Sequence, residues 1–189
     1  SPKMKESNAR RKHVRIFLPE EVNLWFIRGK HVNKKDMFRY RRMDIRKRDL
    51  NLYIQYHFWF GFLTGLAPEV EWTGLDVNDL YFDINKCAHL KVRRPKVGNK
   101  DRTLVFEKTV SSSHNHKSFK NYLQVRERFA NKDETALLVN PLTGTRWTEG
   151  ALRTQLAKYG RKIDSSFIPY WMRYWCGTQR LIDGGEDDK

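Results

Sequence analysis

The sequence predicts an α+β fold, mostly helical, with a small antiparallel β-sheet or hairpin. Two observations carry that prediction. Apolar residues recur at helical spacing through Asp49–Leu66, Phe119–Phe129 and Leu152–Tyr159. Alternation of strand type is confined to Leu80–Phe106, with turn residues at Gly98-Asn99 in its middle. The 189 residues suffice for one domain with a core, and a 39% hydrophobic, 13% aromatic composition excludes a disordered chain.

Charge bounds the partner. The net charge is +15, and residues 1–50 hold 16 Lys+Arg against 6 Asp+Glu, or +10 of that total. Such an excess opposes compaction unless an anion neutralises it. Nucleic acid is the leading partner, and an acidic membrane surface is the weaker alternative. The longest apolar run, around His57 to Leu66, is too short and too interrupted to span a bilayer, so no membrane segment is expected. The polar, basic N-terminus does not resemble a signal peptide. Cys87 and Cys176 stand far apart without metal-ligand spacing, which reads as a reduced, intracellular protein of the cytoplasm or nucleoid, or of a nucleus.

Residues 1–15, around Arg10-Arg11-Lys12, read as a basic arm or the end of a linker, either solvated or tracking DNA. Leu18-Pro19-Glu20-Glu21 opens a helix, with proline early and carboxylates at its positive end. Arg39, Arg41, Arg42, Arg46 and Lys47 lie in the most basic segment, a density that favours a phosphate-facing surface over an ordinary solvated one. Asp49–Leu66 reads as a buried helix, with His57 as a packed core residue rather than a ligand. Tyr81–Ile84, His89–Val92 and Arg102–Phe106 read as strands, with Arg93, Arg94 and Lys100 at or near the basic turn between the last two. His114 and His116 lie in a serine-rich loop without accompanying cysteines or carboxylates, so no metal site is expected. Thr148 caps a helix carrying Leu152, Leu156 and Tyr159 on one face and Arg153, Lys158 and Arg161 elsewhere. A major-groove surface and an ordinary solvated face both fit those cations.

Pro169-Tyr170-Trp171-Met172-Arg173-Tyr174-Trp175-Cys176-Gly177-Thr178 then starts a helix, with Arg173 one turn in and off the apolar face. This stretch resembles the second catalytic box of the tyrosine recombinases, the phage-integrase family: Pro-His-x-x-Arg-His-x-x-(Ala/Gly)-Thr. Tyr170 and Tyr174 occupy the usual histidine places. Thr64-Gly65-Leu66-Ala67 is similar to the family's Thr-Gly-Leu-Arg, and Lys96-Val97-Gly98-Asn99-Lys100-Asp101-Arg102 is similar to its lysine hairpin. The three follow in the family's order.

The resemblance implies a tyrosine-recombinase-type catalytic domain at 16–189, stopping before the family's nucleophile helix. It implies double-stranded DNA as partner, with self-association on DNA as a dimer or tetramer, and no cofactor. The family cleaves and rejoins DNA through a 3′-phosphotyrosine. In that chemistry Arg173 stabilises phosphoryl charge and Lys96, which opens its motif and is preferred to Lys100, protonates the leaving oxygen. Tyr170 offers a hydrogen bond but is a poor base near neutral pH. Ala67 stands where the family has its first arginine and cannot hold a phosphoryl oxygen, whether it is natural or introduced. No tyrosine is assigned as nucleophile. The expectation is therefore an inactive, DNA-binding fragment of an integrase-type recombinase. The alternative is a naturally non-catalytic duplex-binding protein of the same fold, serving replication, partition or regulation. A third reading, an RNA-binding protein, would show as preference for single strands.

Overall fold

The computed structural model describes residues 17–27, 29–40, 44–93, 101–108 and 117–184, without the side chains of 179–184. Helix α1 (Pro19–Phe26) starts at proline with Glu20 and Glu21 in its first turn, and it buries Val22, Trp25 and Phe26. The short α2 (Lys34–Phe38) is held by a capping box in which Asn33 and Asp36 exchange side chain-to-backbone hydrogen bonds of 2.8 and 3.0 Å. Helix α3 (Lys47–Thr64) is the axis of the molecule. Its residues from Tyr53 to Phe62 are buried all round, which is why its sequence shows a broad apolar band rather than a narrow stripe.

After α3 come α4 (Val70–Thr73), a 3-10 turn at Val77–Asp79, and an antiparallel sheet of β1 (Leu80–Phe82), β2 (Ala88–Val92) and β3 (Arg102–Phe106) in that order. Leu80 pairs with Leu90 and Leu90 with Leu104, so one sheet face carries the aliphatic side chains inward. Helix α5 (Phe119–Glu127) and a two-residue ladder of β4 (Val139–Asn140) with β5 (Thr145–Arg146) follow. Helix α6 (Glu149–Gly160) is capped by the Thr148 hydroxyl, and α7 (Tyr170–Gly184) closes the fold. Helices α1, α5 and α7 all pack on α3.

Aromatic side chains fill the spaces between these helices. Trp25 meets Phe17, Phe62 and Phe167 with ring centroids 5.0 to 5.9 Å apart, and Trp59 meets Phe119 at 5.0 Å. Each such side chain contributes about 1.5–3 kcal/mol by leaving water. His57 belongs to this core. Trp147 donates its indole N–H to His57 Nε2 at 3.0 Å, so the imidazole proton sits on Nδ1, 2.9 Å from the Tyr53 carbonyl. Burial pushes the His57 pKa down to about 4.

One strand is shorter than its alternation predicts. The Asp83 carboxylate accepts the N–H groups of Asn85 and Cys87 at 2.8 and 3.0 Å, turning the chain at once. Ile84 is therefore not a strand residue but a turn residue, 97% exposed. The basic arm at 1–15, the Gly98-Asn99 turn and the His114/His116 loop lie outside the described residues.

Candidate functional site

The two sequence boxes meet where α3 ends against α7. Gly65 caps α3 in the left-handed region (φ 63°), and its amide donates to Gly61 O at 3.0 Å. A Cβ at Gly65 would stand 2.8 Å from Cys176 Sγ, and one at Gly61 would stand 2.4 Å from Met172 Sδ. Thr64-Gly65-Leu66 thus serves close helix approach. It brings Ala67, the next residue, beside the first turns of α7. Met172, Trp171 and Cys176 face the core, while Arg173 and Tyr170 remain exposed on the other side of that helix.

Between them opens a cleft of about 540 Å³. The chain around α4 contributes Ala67, Pro68, Glu69 and Val70; α6 and its end contribute Arg153, Ala157 and Arg161; the α7 start contributes Ile168, Pro169, Tyr170 and Arg173. Five residues singled out from sequence (Ala67, Arg153, Arg161, Tyr170 and Arg173) therefore converge from three segments. Arg161 donates from Nε to the Phe167 carbonyl at 3.2 Å. Arg153 approaches Glu69 Oε2 at 3.3 Å.

Sequence reasoning missed the group that ties this site together. Glu71, with a side chain only 8% exposed, accepts from the Ala67 amide at 3.1 Å and from Arg173 Nη1 at 3.3 Å on one oxygen. Its other oxygen lies 3.5 Å from Arg102 Nη2, on β3. A nearly buried carboxylate is tolerable when cations and an amide surround it. The available signal was a glutamate four residues past Ala67, a carboxylate close to two boxes rich in cations.

The remaining predicted contacts are spread out. Arg93 pairs with Asp79 at 2.8 Å and Asp76 at 3.3 Å, and Asp76 also binds Arg146. Although burial alone would raise the Asp76 carboxyl, the two arginines hold it below the usual range. Lys158 pairs with Asp36 at 3.1 Å, and Lys162 also binds that carboxylate. The cationic ends of these pairs are half exposed, whereas the Asp79 and Asp36 carboxylates are nearly buried. Arg39, Arg46 and Lys47 are exposed at the end of α2 and the start of α3. Arg41, Arg42, Arg94, Lys96 and Lys100 lie outside the described residues. Among the described residues no group of three or more His, Cys, Asp and Glu side chains could hold a metal ion, and no helix is long and apolar enough to cross a membrane.

Element order, the central α3 and the small antiparallel sheet make an α+β fold, mostly helical, that is shared with a site-specific recombinase of known structure. A solved structure that the chain resembles is that of the XerH site-specific recombinase bound to its difH substrate in a pre-cleavage complex. The likeness has a TM-score of 0.52 at 17% sequence identity, over 84% of this chain and 44% of the other. The chain thus spans less than half the length of that recombinase, and the likeness is one of fold. No protein-family model and no curated protein matches the chain.

Proposed function

We propose that this chain is a duplex-DNA-binding domain of an integrase-type site-specific recombinase, with its backbone-phosphate contact in the cleft beside Arg173. The observation that carries the reading is the convergence of Arg153, Arg161 and Arg173 with Tyr170 and Ala67 around one opening. Guanidinium groups match phosphate oxygens in geometry and charge, and they act strongly where surrounding protein excludes water. The XerH relative in fold was solved on a DNA substrate, which supports the same ligand class for this chain.

Chemistry at the phosphate is a different matter. Phosphoryl transfer depends on cations aimed at the charge that develops on the oxygens. Arg173 supplies one, while Ala67 leaves the second place without a guanidinium, so strand cleavage by this chain is not expected. The alternative, a non-catalytic duplex-binding protein of the same fold, shares the cleft and the binding; Ala67 is the feature that favours it.

Two assays on the same protein test the proposal. Affinity for a paired duplex should fall linearly on a log–log plot against salt, by roughly 0.9 decades per decade for each phosphate neutralised. A nicked duplex should give no covalent adduct on denaturing gels. Salt-insensitive binding would sink the DNA reading; a covalent adduct would sink the inactive one.

A further inference from the structure

The cleft is larger and more apolar than a phosphate requires. Its arginines are exposed, but the less exposed part of the lining, its floor, is aliphatic and half-buried: Ala67, Pro68, Val70, Ala157, Ile168 and Pro169. A phosphoryl group held by Arg161 and Arg173 would leave that floor wet, which is unfavourable for apolar surface. The charge balance is asymmetric as well. Arg153 and Arg173 each face a carboxylate, at 3.3 Å in both cases, whereas Arg161 has no carboxylate within salt-bridge distance among the described residues. Glu71 is also shared with Arg102, so its charge is divided between two guanidiniums. The opening therefore suits a ligand with an anionic end and a flat apolar body.

We infer that the cleft takes an unpaired deoxynucleotide, with its base on the aliphatic floor beside Tyr170 and its phosphate at Arg161 and Arg173. This rests on the DNA-binding reading above and adds to it a class of DNA: duplexes carrying an extrahelical nucleotide. A paired base cannot reach the floor without leaving its stack, which costs a few kcal/mol, whereas a bulged base has little of that cost left. Ala67, with its single methyl group, leaves that apolar lining open to a base.

The test compares one duplex with and without a single-nucleotide bulge, at one fixed salt concentration, by equilibrium anisotropy. The bulged duplex should bind about tenfold tighter, the low end of the range for a base against an aromatic ring, since Tyr170 is the one aromatic side chain of the lining among the described residues. Ala67→Arg, which fills the floor, should bring the ratio of affinities close to one. Tyr170→Ala, at an exposed helix position that leaves the core untouched, should reduce the ratio as well. Equal affinity of the wild-type protein for both duplexes would overturn the inference and leave the DNA-binding reading standing. A ratio unchanged in both variants would also overturn it, because the preference would then arise elsewhere. Binding to neither duplex would overturn the DNA-binding reading and this inference together.

Discussion

Glu71 joins Arg173, Arg102 and the Ala67 amide within 3.1 to 3.5 Å. Removing its charge leaves two guanidiniums facing each other across a neutral amide. Both arginines are partly exposed, so the cost is well below that of a fully buried pair. Glu71→Gln should lower stability by about 1–2 kcal/mol in urea unfolding at pH 7. An unchanged midpoint would mean that solvent already screens this carboxylate. The exposure of Arg173 was legible from helical spacing, which sets it off the apolar face, whereas Tyr170 was singled out only by the resemblance of its box. Glu71 was not legible, because its partners sit 31 and 102 positions away and only tertiary packing unites them. Ile84 shows the reverse case: its alternation was clear, but the Asp83 carboxylate captured the backbone and ended the strand first.

At the scale of elements, the site depends on how closely α7 approaches the end of α3. Gly65 combines a left-handed φ of 63° with a Cys176 Sγ that a Cβ would meet at 2.8 Å. Gly65→Ala should therefore cost about 2 kcal/mol in chemical denaturation, part from the backbone conformation and part from displacing Cys176. A loss below about 0.5 kcal/mol would show that the helices separate without penalty. The helices themselves were readable from apolar spacing and from caps such as Thr148. The cleft was not, since Arg153 and Arg161 read equally well as solvated residues. What assigns them to the site is the packing of Gly160 on Phe167, which sets the end of α6 against the approach to α7.

For the whole molecule, the core carries a pH dependence. His57 is neutral in the folded state, with its pKa pushed by burial to about 4 from an unfolded value of 6.5. Between those values the unfolded chain binds the extra proton, so stability rises with pH there. Stability should be flat with respect to this group above pH 6.5 and fall on acidification toward pH 4. The loss is on the order of 3 kcal/mol. His31 is shifted down by burial too and adds to the same window. In His57→Phe the baseline drops, because the Trp147 N–H loses its acceptor, but the loss between pH 7 and pH 4.5 should shrink. An undiminished acid loss in that variant would place the titrating group elsewhere.

The molecule's other global property is its charge of +15, legible from composition as a preference for polyanions. Composition does not say where the polyanion sits; the proposed function puts it at the Arg173 cleft. The most direct measurement is the salt dependence of paired-duplex affinity for wild type and Arg173→Ala. The variant should bind about tenfold more weakly and show a log–log slope shallower by about 0.9, the signature of one lost phosphate contact. Identical slopes and affinities for the two proteins would contradict the assignment and move the DNA-contacting surface away from this cleft.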